Sequence, residues 1–267
     1  MTVEPDLAAL RTLAEQVARE AGALLREGMG RARTSIGTKS TGTDMVTEMD
    51  RASELLISEG LLGARPDDGI LGEEGADQAG TSGVRWVVDP LDGTTNYLYG
   101  LPGFNVSIGG EVDGQAAVGV VYDVVRDELF SAARGGGATR DGQPIRASSV
   151  TDLGQALVGT GFSYDPGQRR QQAEVLVTLI PRIRDIRRQG AAALDLCSVA
   201  CGRLDAHYER GLAPWDLAAG GLIAREAGAV VTDLPGGTAA TGAVLAAAPG
   251  IAVTLGALLA TTSATSP

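Results

Sequence analysis

Histidine and lysine are almost missing from this chain of 267 residues, with His207 and Lys39 the single example of each. A site built on several imidazoles is therefore excluded, and the HExxH zinc motif and two-histidine iron site go with it. No GxxxxGK[ST] phosphate loop occurs, and a Ser-His-Asp triad would have to use His207 without a GxSxG elbow. Cysteine is scarce too. Cys197 and Cys201 stand four apart, with no further cysteines to complete a metal site or disulfide framework, so they read as reduced, buried thiols. No apolar run reaches the ~18 residues of a membrane span. Glu4, Asp6 and Arg11 break up the start of the chain before a signal segment can form. Positive charge is also short: 22 basic against 33 acidic residues leave a net charge of −11 and a pI near 4.6. That balance argues against nucleic acid or an anionic membrane as the main partner. The expectation is a soluble cytoplasmic protein. With 44% hydrophobic and 21% charged residues, the chain can bury a large core as one or two globular domains.

What is present falls into two halves. Leu7, Leu10, Leu13, Ala14, Val17, Ala21, Leu24 and Leu25 recur at helical spacing and predict an amphipathic helix over residues 6–28. A second helix, capped by Thr43 or Asp44, is expected to run to about Leu62, with apolar Val46, Met49, Leu55, Leu56 and Ile57 interleaved with Glu48, Asp50, Arg51 and Glu54. Val84 to Val88 reads as a strand. Residues 104–139 read as an antiparallel meander broken at Gly109-Gly110, Asp113-Gly114 and Gly135-Gly136-Gly137. From about residue 155 strands and helices alternate, ending in a helix over Ile251 to Leu259 and a disordered tail over 261–267.

The densest chemistry lies in Asp89-Pro90-Leu91-Asp92-Gly93-Thr94-Thr95-Asn96. A strand delivers Asp89, Pro90 sets the turn, and the chain enters a helix at Gly93-Thr94, whose free N–H groups can face an anion. Two further acidic sites occur, Glu73-Glu74 between glycines and Asp216 at the start of another helix. Each of these two alone reads as a helix cap or a solvated charge rather than a ligand, and the Asp89–Asp92 stretch alone also reads as an Asx-capped turn. Together they form a set of hard oxygen donors without nitrogen or sulfur, the composition that suits Mg²⁺.

In order and interval, Gly72-Glu73-Glu74, Asp89 to Asn96 and Trp215-Asp216-Leu217-Ala218-Ala219-Gly220 resemble the signatures of the inositol monophosphatase family, within the lithium-sensitive, magnesium-dependent phosphatases. The resemblance runs from about Leu7 to Leu259. It implies an α/β (α+β) fold, the layered αβαβα sandwich of the sugar phosphatases, as one catalytic domain over 1–260 with lobes at about 1–150 and 151–260. It implies two to three Mg²⁺ ions: Glu73, Asp89 and the Leu91 carbonyl on the first, Asp89, Asp92 and Asp216 on the second, and a weakly held third leaning on Glu73. Thr94 and Asp50 would position and deprotonate the attacking water, a catalytic role shared with Glu73. Gly93 and Thr94 would hold the phosphate beside Asp92 and Asp216. Glu209 would read substrate hydroxyls, and Gly190, Ala191 and Ala192 would line the same polyol pocket. Ala191 departs from the Ser or Thr of many relatives, which bears on the substrate more than the reaction. The implied partners are a small phosphorylated polyol, inositol-1-phosphate above others, and a second copy in a homodimer.

Several rivals are weighed against this reading. A haloacid-dehalogenase-type phosphatase needs its two Asp residues two apart, and here they are three apart. A calcium loop starting at Asp89 would need Glu at its twelfth position, where Gly100 stands. Within the superfamily, a histidinol-phosphate phosphatase, a fructose-1,6-bisphosphatase and a 3′-phosphoadenosine phosphatase remain. A non-catalytic module should have lost a metal carboxylate, and none is lost. His207, at a position commonly aromatic in the family, reads as a partly buried strand residue without a catalytic role. Lys39 matches a basic loop position near the metals or an exposed surface lysine. Arg182, Arg184, Arg187 and Arg188 offer a phosphate patch, with a solvated strand edge or dimer surface the preferred reading.

Overall fold

The computed structural model describes residues 5–29, 36–38, 45–234 and 242–263. Asp6 caps α1 (Leu7–Gly28), its carboxylate accepting the Ala8 and Ala9 N–H groups at 2.9 and 3.2 Å. The predicted stripe Leu10, Ala14, Val17, Ala21 and Leu25 is buried. A short antiparallel pair, β1 (Ile36–Thr38) and β2 (Met45–Thr47), precedes α2 (Glu48–Ala64). That helix starts later than predicted: Val46 belongs to β2, and Thr43, Asp44 and Lys39 lie outside the described residues. Its inner face also differs. Asp50, Ser53, Glu54, Ile57 and Leu61 are buried, while Leu55 is 60% exposed.

The large sheet contains β3 (Gly69–Gly72), β4 (Asp77–Gln78) and β5 (Val84–Asp92). After α3 (Thr94–Tyr99) come β6 (Asn105–Val112), β7 (Gln115–Asp123), β8 (Glu128–Ala133), β9 (Ala138–Arg140) and β10 (Gln143–Pro144). Its order is β10-β9-β8-β7-β6-β5-β3-β4, with β3 parallel to β5. The second half supplies β11 (Leu157–Thr160), α4 (Pro166–Leu179), β12 (Asp185–Arg187), α5 (Ala192–Ala200), β13 (Ala206–Glu209) and α6 (Pro214–Glu226). It ends with β14 (Val230–Asp233), β15 (Val244–Ala247) and α7 (Ala252–Ser263). The smaller sheet runs β12-β11-β13-β15-β14. The last helix reaches Ser263, so it takes up residues 261–263 of the expected tail; residues 264–267 lie outside those described.

Three apolar cores separate five layers. Trp86, Val88, Ile108 and Val120 of the large sheet meet Leu10 and Val17 of α1 and Ile57 and Leu61 of α2. Its other face, with Val121 and Phe130, meets α5 and α6 through Leu196, Val199, Leu222 and Ile223, which also touch Ala246 of β15. The outer face of the smaller sheet packs Val158, Ala206 and Leu245 against Leu179 of α4 and Leu255 and Leu259 of α7. The result is the αβαβα sandwich.

Gly109-Gly110 does not break the meander but lies inside β6. Gly109 pairs with Gly119 of β7. A methyl group on either would stand 2.6 Å from Ala218 Cβ or 2.7 Å from the Ala219 carbonyl oxygen. The two glycines form a flat seat on which the first turns of α6 rest, and that seat sets the height of Asp216. Among the described residues no helix is long and apolar enough to cross a membrane.

Candidate active site

Asp89 and Asp92 are three residues apart on β5, and in a regular strand that odd spacing would point them to opposite faces. The register against β6 breaks between them: Asp89 pairs with Ser107 and Asp92 with Asn105, so three steps on β5 oppose two on β6. This bulge at Pro90-Leu91, where Pro90 has no N–H to give the ladder, turns both carboxylates to one side. Ser53 of α2 donates to the Pro90 carbonyl at 2.8 Å and pins it, and the Leu91 N–H donates to Asp89 Oδ1 at 3.0 Å. Asp216, in the first turn of α6, completes the group. Ligand oxygens of Asp89, Asp92 and Asp216 all lie within 4.8 Å of one another.

Fixed donors hold each carboxylate. Asp92 Oδ2 accepts from Asn105 Nδ2 at 2.8 Å and from the Ala193 N–H at 2.9 Å. Asp216 Oδ2 accepts the Ala213 N–H at 2.6 Å. Glu73 follows β3 on a turn clasped by Glu54 of α2, which accepts the Glu74 and Ala76 N–H groups at 2.7 and 2.9 Å. Thr94 Oγ1 lies 3.0 Å from Asp50 Oδ1 and 3.1 Å from the Leu91 carbonyl, so its hydroxyl donates on the buried side. Gly93, at φ 87°, caps α3 in the left-handed region and turns the chain back beside the carboxylates.

Burial is the main force on the titration of this cluster. It holds Asp89 well above the usual carboxylate range, helped by the charges of Glu73, Asp92 and Asp216. Asp216 is shifted the same way by burial and by Asp92, against the Ala213 N–H. Asp92 is pushed up to about 6 by burial, opposed by its bonds from Asn105 and Ala193. Buried carboxylates this close do not all ionise unless positive charge joins them, and a hard divalent cation supplies it with oxygen ligands alone. The donor set fits such an ion.

The carboxylates open into a cavity of about 500 Å³ whose walls include Glu73, Asp89, Leu91, Asp92, Gly93, Thr94, Gly190, Ala191, Ala192, Glu209 and Asp216. Of the residues given a metal, substrate or catalytic role from the sequence, Asp50 alone stands outside that lining, 1% exposed behind Thr94. Arg188 also lines the cavity, while Arg187, its neighbour on the edge strand β12, points outward. Asn96 donates to the Gly103 and Gln189 carbonyls at 2.7 and 2.8 Å and ties α3 to the Gly190 wall. Ser53, Glu54 and Asn105 escape sequence reading as site residues. The signal for the first two was their spacing from Asp50: positions 50, 53, 54, 57 and 61 make one helical stripe.

A layered αβαβα fold with converging carboxylates at the carboxyl end of a strand defines a class, the metal-dependent phosphoric monoester hydrolases. The model of the inositol monophosphatase family matches residues 6–265, and the chain belongs to that family. It is similar to an inositol-1-monophosphatase, SuhB, of Mycobacterium tuberculosis strain H37Rv, 47% identical over 242 residues that cover 84% of this chain and 83% of the relative. The Nus factor SuhB of Escherichia coli K12 is 41% identical over 230 residues, covering 84% and 85%. Among solved structures, the extragenic suppressor protein SuhB of Bartonella henselae superposes with a TM-score of 0.90 at 38% identity, covering 94% of this chain and 98% of that one.

Proposed function

We propose that this enzyme hydrolyses a small polyol phosphate, inositol-1-phosphate first, by direct attack of water with Mg²⁺ bound. The observation that carries the reading is the convergence of Asp89, Asp92 and Asp216 in the cavity that Glu209 also lines. Glu73, Asp89 and the Leu91 carbonyl would hold one ion, Asp89, Asp92 and Asp216 a second, with a third leaning on Glu73. When bound, the ions acidify a water and neutralise charge on the phosphoryl and leaving oxygens. Asp50 accepts the Thr94 hydroxyl proton and so leaves the Thr94 oxygen free to accept one from the attacking water. The Gly93 and Thr94 N–H groups, at the start of α3 and without partners inside that helix, hold phosphate oxygens. Glu209 accepts hydrogen bonds from substrate hydroxyls against the wall of Gly190, Ala191 and Ala192.

The test is phosphate release with Mg²⁺ across inositol-1-phosphate, histidinol phosphate, fructose-1,6-bisphosphate and adenosine 3′,5′-bisphosphate. The inositol ester should lead, Li⁺ should inhibit, and excess EDTA should abolish turnover. Full activity in EDTA, or a covalent phosphoaspartate at Asp89, sinks the mechanism. Family resemblance further carries a cytoplasmic homodimer, which light scattering on the purified chain checks. The name of the Escherichia coli relative, Nus factor, favours a second reading in which this chain also serves as a Nus factor.

A further inference from the structure

The chain's single histidine, His207, is fully buried on β13 rather than partly buried as its sequence context suggested. Alternation along the strand sends Ala206 and Tyr208 into the core beneath α7, and His207 and Glu209 together toward α5. The slot for them is made by small neighbours. Ala246 of β15 and Gly159 of β11 pair with His207. A methyl on Gly159 would stand 3.0 Å from His207 Nδ1, and one on Gly161 would overlap the Glu209 carboxylate.

The ring lies between two carboxylates. Its Nδ1 is 3.7 Å from Asp195 Oδ2 of α5, and its Nε2 is 3.3 Å from Glu209 Oε2. Neither nitrogen makes a well-aligned hydrogen bond to any described group. Asp195, buried behind the ring, is fixed by Gln189 Nε2 at 2.9 Å. A neutral ring has one N–H and donates toward only one of the two carboxyl groups; an imidazolium donates toward both. Among the described residues the charged groups acting on the ring are Asp195 from α5, Glu209 from its own strand and Asp92 from β5. Burial by itself pushes the imidazole toward the neutral form, but those three carboxylates outweigh it and its pKa is raised. Burial also lifts Asp195 to about 7, against the pull of His207.

We propose that His207 is the positioning residue for Glu209: its imidazolium, anchored by Asp195 on the dry side, holds the Glu209 carboxylate in one orientation toward the substrate. The proposal rests on the reading of Glu209 as the hydroxyl acceptor. Glu209 shares its cavity with Asp92 and Asp216, whose like charge repels it, and the ring behind it offers the cation that holds it in place. The ring places that cation where substrate and solvent do not reach, and so leaves the cavity side of the carboxylate free to accept.

Because the chain has one histidine, ¹⁵N-histidine labelling of the untagged protein gives a single imidazole to follow by NMR. The expected result is an imidazolium at neutral pH, titrating above the ordinary midpoint of about 6.5, with the midpoint falling in Glu209→Gln. His207→Phe keeps an aromatic ring in the slot and removes both nitrogens. It should raise KM for inositol-1-phosphate ~5–10-fold, the size of one weakened charge-assisted hydrogen bond, with kcat and the turnover of p-nitrophenyl phosphate within about twofold of the parent. The double variant should be no worse than Glu209→Gln alone. A neutral ring whose titration ignores Glu209→Gln overturns the pairing, even if His207→Phe fails to fold. An unchanged KM in His207→Phe, or additive losses in the double variant, overturns the positioning role. A shifted midpoint beside an unchanged KM in Glu209→Gln confirms the pairing and overturns the substrate role of Glu209 instead.

Discussion

Asp92 does three jobs with one carboxylate. It closes β5 after the bulge, it joins α5 to the large sheet through the Ala193 N–H, and it faces Asp89 and Asp216 in the cavity. An amide at this position keeps the shape and one acceptor oxygen but removes a charge from a group that, on the proposed mechanism, acts on the transition state. In Asp92→Asn, kcat should therefore fall ~10²–10³-fold for polyol and aryl phosphates alike, the scale of losing one preorganised electrostatic partner. Steady-state kinetics at saturating Mg²⁺ checks it, and a loss confined to the polyol would place Asp92 in substrate recognition alone.

Between elements, α2 works as a clasp. Its buried stripe is polar at the end near the site and apolar at the other, passing from Asp50, Ser53 and Glu54 to Ile57 and Leu61. Ser53 holds the bulge and Glu54 the turn that carries Glu73. Gly72 is small because a methyl there would run into the Glu54 carboxylate. Glu54→Gln keeps the size but turns an NH₂ group toward one of two backbone N–H donors. The unsatisfied buried donor should cost about 1–3 kcal/mol of unfolding free energy, readable in urea titrations. It should also weaken Mg²⁺ activation while leaving kcat near the parent at saturating metal. An unchanged Mg²⁺ requirement would reduce Glu54 to a structural residue.

For the molecule as a whole, the site opposes the stability of the metal-free fold. An acid whose pKa is raised by folding holds its proton more tightly folded than unfolded, so stability falls as pH climbs from the unfolded pKa to the folded one. For Asp92 that window ends at about 6 and for Asp195 at about 7, with Asp89 and Asp216 shifted in the same direction. The raised His207 adds to the trend, since its contribution is present at low pH and lost as pH rises through its folded pKa. Glu128, lowered by its hydrogen bond from Arg203, acts the other way, and only in more acidic solution. In EDTA, Tm should fall by several degrees between about pH 5 and pH 8. Saturating Mg²⁺ should flatten most of that slope, because the ion takes the place of the protons. A flat profile in EDTA would show that the cluster is not under this strain.

By itself the sequence determined the donor chemistry and most of the elements. The motifs at Glu73, Asp89 to Asn96 and Asp216 name oxygen ligands by residue type, and the apolar spacing of α1 and the alternation of the meander act over one or two turns or strands, a range at which local pattern is decisive. Tertiary structure decided what depends on a partner distant in the chain. The bulge that brings Asp89 and Asp92 to one face exists only against β6, and Gly109 reads as a turn until α6 settles on it. Glu54 looks like a solvated charge until a distant loop offers it two N–H groups. His207 gains meaning only where β13 lies between β11 and β15 with Asp195 above it. In each case one side chain admits two environments of similar local cost, and the choice is made by contacts that form only when the layers close.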